Sequence, residues 1–311
     1  MVGVNDPVPA TGRQFEIAHG AARAVVTEVG AALRAFEVDG VAYSESYHPD
    51  RLPPGAAGGV LVPWPNRVAD GRWVLEREPQ QLALTEPDRH NAIHGLLRHT
   101  VWTVVEHAES TIVLHAMVPV QPGWPVPLLT SIGYALDESG LTVTHTVENL
   151  GARAVPFGVG VHPYPRAGSA ETDDCTLKLA AATVLPVDPE RLLPVRPPRS
   201  LEGDEQEFRR GRRLAGVLLD TAFGGAEPLP DDPDELVRHS LTAPSGHGVE
   251  LWADPVFKWV QVYTADEFPG RGRAVAIEPM TCPPDALNSG IDLITLPPGE
   301  NWIAQWGLRP F

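Results

Sequence analysis

The chain has 311 residues, with 40 acidic against 24 basic side chains, a formal net charge of -16 and two cysteines. That length is ample to bury a core, as one large β domain or as two ordinary ones. So acidic a chain offers no basic stripe to neutralise phosphates, which excludes nucleic acid and anionic membrane surfaces as expected partners and leaves small neutral ligands open.

In chain order, Met1 to Pro9 carries Asp6 and two prolines and has neither a basic n-region nor an apolar h-region, so export is not expected. Cys175 and Cys282 accordingly read as free thiols in a reducing compartment, the cytoplasm. Strand-like runs follow at Ala22 to Val29, Val101 to Glu106 and Thr111 to Val118. The uncharged stretch from Ala116 to Leu136 has the length of a membrane span, but Pro119, Pro122, Pro125 and Pro127 remove four N–H donors and would break any lipid-exposed helix. Ser131 to Asp137 and a run starting at Leu141 flank Glu138-Ser139-Gly140, a connection of hairpin type. In the second run Leu141, Val143, His145 and Val147 share one face, while Thr142, Thr144, Thr146 and Glu148 share the other, the pattern of a half-buried strand. Asp188 to Leu193 supports one helical turn at most. Arg196 to Arg213 and Glu227 to Glu235 are charged, proline-rich loop segments, and neither is flanked by a composition change that would mark a second domain. Lys258 to Thr264, Arg273 to Ile277 and Trp302 to Leu308 complete the strands. With 33 prolines and 29 glycines between short strands, the chain is expected to fold as an all-β sandwich or barrel, in one domain over residues 1–311.

Four polar placements stand out against this frame. The run ending at Ile277 delivers a carboxylate into Glu278-Pro279-Met280-Thr281-Cys282-Pro283-Pro284-Asp285-Ala286-Leu287-Asn288, and the others are Pro65-Asn66-Arg67, Ile93-His94-Gly95 and Gly158-Val159-Gly160-Val161-His162-Pro163-Tyr164. In this order and spacing they resemble the aldose 1-epimerases, the galactose mutarotase family, over Gly58 to Leu308. The resemblance implies a large antiparallel β-sandwich and an isomerase that exchanges the α and β anomers of an aldohexose by opening the sugar ring, with no cofactor and no metal. It makes Glu278 the base, His162 the acid and His94 a second donor near the ring oxygen. A Glu and a His suit this at neutral pH, since their ordinary pKa values of about 4.3 and 6.5 lie close to the two roles. A carboxylate near the imidazole is expected to hold more of it protonated. Each residue also has a plain structural reading: an exposed strand end for Glu278, a satisfied core imidazole for His162, a turn cap for His94. Their joint occurrence favours the chemistry.

Arg67, with Asn66 before it, lies in Pro63-Trp64-Pro65-Asn66-Arg67-Val68-Ala69-Asp70-Gly71, which is similar to the segment in which the family binds sugar hydroxyls. A planar fork of donors suits vicinal hydroxyls, although a surface pair with Asp70 is the alternative. Asp220, in Leu218-Leu219-Asp220-Thr221-Ala222-Phe223, is similar to the family's sugar-binding aspartate, with a loop cap as its alternative. Gln261-Val262-Tyr263-Thr264 matches a family strand beside the site and reads as scaffold. Trp64, Trp124 and Trp259 are candidate platforms for a pyranose face, of which at most one, Trp64, is expected to touch sugar. Three departures weaken a galactose preference: Met280 stands where a Gln is usual, the Glu-to-Pro-Asp spacing is one residue longer, and His162 is followed by Pro163-Tyr164-Pro165-Arg166. His94-Gly95-Leu96-Leu97-Arg98, with Trp102 beyond, looks more like relatives that handle hexose 6-phosphates or sulfonated hexoses. Arg98 and Arg166, each four residues past a histidine, are candidates to clamp such an anion. The rivals are a noncatalytic sugar-binding module and a glycoside hydrolase using Glu278 and Asp220. His90 and His94 have the spacing of a zinc pair without the helix that spacing requires, and Pro54-Gly55-Ala56-Ala57-Gly58-Gly59 lacks the Lys-Ser/Thr of a phosphate loop.

Overall fold

Alternation of apolar and polar residues sets the architecture. A computed structural model describes residues 8–204 and 206–311. The first seven residues of the segment read for an export signal lie outside the described residues. Among the described residues, two large antiparallel sheets dominate. The nine-stranded sheet runs in the order Thr103–His107, Thr111–Val118, Leu128–Asp137, Gly140–Asn149, Asn301–Pro310, Gly248–Ala253, Val237–Thr242, Thr176–Lys178, Arg212–Arg213. Its central register aligns Ile112, Tyr134, Val143 and Trp306, all buried on one face. Leu141, Val143, His145 and Val147 are buried as the alternation requires, and Thr142, Thr144, Thr146 and Glu148 alternate with them on the more open face. The uncharged stretch from Ala116 to Leu136 becomes parts of two paired strands bridged at Gln121 and Trp124. No helix among the described residues is long and apolar enough to cross a membrane.

The second sheet, of seven strands, runs Arg199–Ser200, Thr183–Val184, Asp220–Gly224, Trp259–Phe268, Gly272–Met280, Gly160–Val161, Val60–Leu61. One apolar core joins Ile112, Leu114 and Ile132 of the first sheet to Val260, Val262, Val275 and Ile277 of the second, and Ile17, Val26 and Phe36 of an N-terminal four-stranded sheet belong to it as well. The fold is therefore the large antiparallel β-sandwich that the sequence resemblance implies.

Local chemistry shapes two segments in detail. Between Asp188 and Leu193 a single turn forms, within the expected limit: Leu192 N–H donates to Asp188 O at 3.0 Å, and the Asp188 carboxylate accepts the N–H groups of Glu190, Arg191 and Leu193 and closes the loop. Past Glu278 the loop contains a short helical turn, Ala286–Ser289. Glu278 itself is not at a strand end, since the strand continues through it and Pro279 to Met280.

Candidate active site

The seven-stranded sheet supplies the floor of a cleft of about 540 Å³. In its register Ala222 lies opposite Gln261 and Gln261 opposite Glu278, while Asp220 lies opposite Tyr263. Directly opposed residues, and residues two apart on one strand, share a face, so Asp220, Gln261, Tyr263 and Glu278 are presented together. Gly160 pairs with Met280 on one side and Leu61 on the other, which carries His162, two residues on, to the same place. Glycine is required there: a Cβ at Gly160 would stand 2.7 Å from that of Pro65. The backbone of His162 is fixed between Gly58 and Gly59, accepting a hydrogen bond from Gly58 N–H and donating one to Gly59 O.

The side wall comes from a two-stranded sheet, Arg67–Ala69 with Asn91–Ile93. Asn66 and His94 flank it in left-handed conformation, φ 53° and 63°, and His94 N–H donates to Asn66 O at 2.9 Å. Asparagine tolerates that conformation better than most residues. Gly95 follows at φ 69°, where a Cβ would sit 2.1 Å from Val62 O. Asp285 ties this wall to the Glu278 strand: its N–H donates to Arg67 O at 2.7 Å and its carboxylate accepts Ala69 N–H at 2.9 Å. The Pro-Asp that follows the carboxylate in the sequence is thus a joint between the two halves of the site.

At the centre His162 Nε2 lies 3.3 Å from Glu278 Oε1, with the residues 4% and 1% exposed. The His94 and His162 rings meet edge to face at 5.3 Å, and Tyr164 stacks on His162 at 5.4 Å. Burial pushes the Glu278 carboxyl well above its ordinary value, Asp220 adds to the rise, and Arg67 opposes it. Burial pulls His162 down to about 3, with Arg98 lowering it further against a backbone hydrogen bond, and pulls His94 well below 6.5, helped by His162, Arg98 and Arg67. The expectation that a neighbouring carboxylate would keep the imidazole charged is therefore reversed, because burial disfavours the charged ring. Burial therefore favours the uncharged form of both partners in the contact.

Arg67 donates from Nε and Nη2 to Glu86 at 2.9 and 3.0 Å, reaches Asp220 at 3.4 Å and touches Asn66 Oδ1 at 3.5 Å. Burial disfavours its charge, but Glu86 and Asp220 more than compensate and raise its pKa. Asp70, the alternative partner, pairs with Arg191 instead. Asp220 also accepts from Gln261 Nε2 at 2.6 Å.

The cleft thus brings together Glu278, His162, His94, Asn66, Arg67, Asp220 and Arg98. Two expected contacts are corrected. Trp64 is buried in the core, 6.0 Å from the Trp124 ring, and does not line the cleft. Neither do Trp124 and Trp259, the second of which donates to Asp292 at 2.9 Å. Arg166 lies 3.5 Å from Glu45, donates to Gly168 O and does not line the cleft. His90 ends a 3-10 turn, Pro87–Arg89, and His94 follows a strand, so no helix joins them. Gln261, Tyr263 and Glu86 line the cleft although the sequence reading gave them no such place. Alternation over Lys258 to Thr264 would have found the first two, since it sets Gln261 and Tyr263 opposite the apolar Val260 and Val262; no local signal marks Glu86.

Comparison with known proteins bears on the family and the fold. Residues 13–309 match the sequence model of the family described as aldose 1-epimerase. YihR, an uncharacterized protein of Escherichia coli strain K12, is 33% identical over 293 residues, which cover 93% of this chain and 91% of that protein. Among solved structures, a galactose mutarotase-like protein from Clostridium acetobutylicum superposes with a TM-score of 0.84 at 20% identity, covering 95% of this chain and 94% of that one. Galactose 1-epimerase from Lactobacillus acidophilus superposes with a TM-score of 0.77 at 21% identity, covering 95% and 93%. The match across nearly the whole chain settles the affiliation: the chain belongs to the aldose 1-epimerase family.

Proposed function

We propose that the protein is a mutarotase that interconverts the α and β anomers of an aldohexose by acid–base ring opening, acting as a single domain in the cytoplasm without cofactor or metal. The observation that carries this is the 3.3 Å contact of His162 Nε2 with Glu278 Oε1 on the floor of a polar cleft. Anomer exchange acts on two oxygens bound to one carbon, the anomeric hydroxyl and the ring oxygen, so its acid and base must sit side by side. Glu278 Oε2 has no hydrogen-bond partner among the described residues and offers an acceptor for the anomeric hydroxyl. That hydrogen bond stabilises the carboxylate and favours moving the Glu278 proton to His162. Glu278 then takes the hydroxyl proton while His162 gives its proton to the ring oxygen, the bond between C1 and the ring oxygen breaks, and an open-chain aldehyde forms. Rotation about C1–C2 and reversal of the two transfers closes the other anomer. Neutral His94 donates a second hydrogen bond near the ring oxygen, and Asn66, Arg67 and Asp220 hold the remaining hydroxyls. Asp220 is engaged by Arg67 and Gln261, which leaves it a poor second carboxyl for glycoside hydrolysis.

Polarimetry of freshly dissolved α-D-glucose and α-D-galactose tests the reading. Faster decay of rotation is expected; an unchanged rate across a wide panel of sugars leaves a noncatalytic sugar-binding module in its place. One observation favours a second substrate class. Arg98 lines the cleft and makes no hydrogen bond or ion pair to another described residue, so its guanidinium is left for a ligand. A phosphate or sulfonate on C6 would gain charge-assisted hydrogen bonds from it. Comparing glucose, glucose 6-phosphate and 6-sulfonated glucose in the wild type and in Arg98→Ala decides the matter: equal kcat/KM for all three, or equal slowing of all three by the substitution, rules out the anionic substrate.

A further inference from the structure

We infer that Glu86 is the positioning residue of this cleft: it fixes the face that Arg67 turns to the ligand and keeps that guanidinium from pairing with Glu278. Three carboxylates, Glu86, Asp220 and Glu278, line the cleft with Arg67. Glu86 has the closest hold, a two-bond fork to Nε and Nη2 at 2.9 and 3.0 Å, against 3.4 Å for Asp220. Such forks set orientation as well as energy. With that edge occupied, Nη1, whose nearest partner is Asn66 Oδ1 at 3.5 Å, is the donor left for a ligand.

Glu86 is itself braced. Asn91 Nδ2 donates to its Oε2 at 3.0 Å, Arg89 Nε lies 3.5 Å from its Oε1, and the backbones of Glu86 and Asn91 exchange two hydrogen bonds. Arg191 reaches across from the loop closed by Asp188, donating to Arg89 O, His90 O and Asn91 Oδ1. A segment distant in sequence therefore sets the position of Glu86, and through it that of Arg67. This is what a fixed clamp needs and a casual surface pair lacks.

The charge consequence follows from the geometry. Glu278 faces His162, Asp220, Arg67, Tyr164 and Tyr263, and Arg67 is the cation that opposes the rise in its pKa. Arg98 acts on His162 and His94. A Glu86 carboxylate forked onto Arg67 offsets much of that cation's field at Glu278. Loss of the carboxylate leaves Arg67 free to draw Glu278 into an ion pair, which lowers the carboxyl's proton affinity.

The role assigned to Nη1 rests on the sugar reading; the charge consequence does not, and the test separates them. Glu86→Gln keeps the shape and removes the charge. In protein labelled with ¹³C at glutamate carboxyls, with Glu278 assigned by its loss in Glu278→Gln, the Gln variant is expected to lower the apparent Glu278 pKa by about one unit. Glu86→Asp, which keeps the charge, is expected to restore it. With a sugar that the wild type turns over, Glu86→Gln should raise KM about tenfold and change kcat by less than about threefold. A titration unmoved in folded Glu86→Gln overturns the inference. A wild type inactive on every sugar overturns the functional reading alone, because the titration needs no substrate. If Glu86→Gln does not fold, Asn91→Ala releases one Glu86 oxygen without touching the charge; a several-fold rise in KM supports the clamp and an unchanged KM overturns it.

Discussion

The floor of the cleft and its arginine wall treat polar groups in opposite ways. On the wall Arg67, Glu86, Asn91, Arg191 and Asp188 form a chain in which each charged group meets a partner. On the floor Glu278 Oε2, His162 Nδ1 and Gln261 Oε1, with His94 Nδ1 where the wall meets it, are buried with no hydrogen-bond partner among the described residues. A buried polar atom left without protein, water or ligand costs roughly 1–3 kcal/mol, so four at one cleft mark a place that receives polar groups. The floor can hold them because they stand on paired strands of the sheet or beside them, where the register rather than their own bonding keeps them in position. The wall, built from short strands and loops, depends on its ion pairs for shape. Ion pairs are concentrated on the wall, and unpaired polar atoms on the floor.

The sharpest way to break this contrast is to remove the floor's titratable groups. Glu278→Gln and His162→Asn are each expected to slow mutarotation by about a hundredfold or more, the contribution of a positioned acid or base. Glu278→Gln should also raise the melting temperature. The folded-state pKa of Glu278 is raised, so its contribution to stability is full at low pH and is lost as pH rises from the unfolded value of 4.5 toward the folded one. Glutamine carries no such penalty, and the gain over wild type should be larger at about pH 8 than at about pH 5. Calorimetry at the two values checks the sign; a melting temperature that falls equally at both would make Glu278 a structural residue.

The next effect is on the pH profile of kcat/KM. A solvated Glu base and His acid would be active between their ordinary values of 4.5 and 6.5. The buried pair instead works while it holds one proton. Adding a second requires charging an imidazole whose pKa is near 3, and removing the first requires ionising a carboxyl raised well above 4.5. The acid limb should therefore fall below 4.5, and the alkaline limb reports the pair, not either residue. Limbs at 4.5 and 6.5 would show that the floor is hydrated.

How much of this was legible in the sequence differs between the same two regions. The strands were, because a period of two survives in the residues themselves: Thr111 to Val118 appears with the same limits, and Leu141 to Val147 buries the expected face. Residues of the floor could be named because Glu278 and His162 sit in distinctive local strings. Glu86 could not, since its meaning lies in a guanidinium 19 positions away. Arg166 was misjudged for the same reason, as its partner Glu45 is 121 positions away. Burial is the other quantity that local sequence hides. An imidazole beside a carboxylate reads as charged until the sheets that desolvate both are known.

The smallest expected effect concerns Trp64, which the sequence offered as a sugar platform and the fold places in the core against Trp124. Trp64→Phe would remove volume from a packed interior, which costs stability through the cavity it leaves. It would also remove an indole Nε1–H that is buried with no partner among the described residues, and an unpaired buried donor costs roughly 1–3 kcal/mol. The two changes oppose each other, and the net loss should be about 1 kcal/mol or less. KM for any sugar turned over should stay within about twofold, because the ring does not reach the cleft. Denaturant unfolding and steady-state polarimetry measure the two quantities separately. A KM raised about tenfold with stability unchanged would place Trp64 under the sugar after all, and the cleft would then have an aromatic floor beside its polar one.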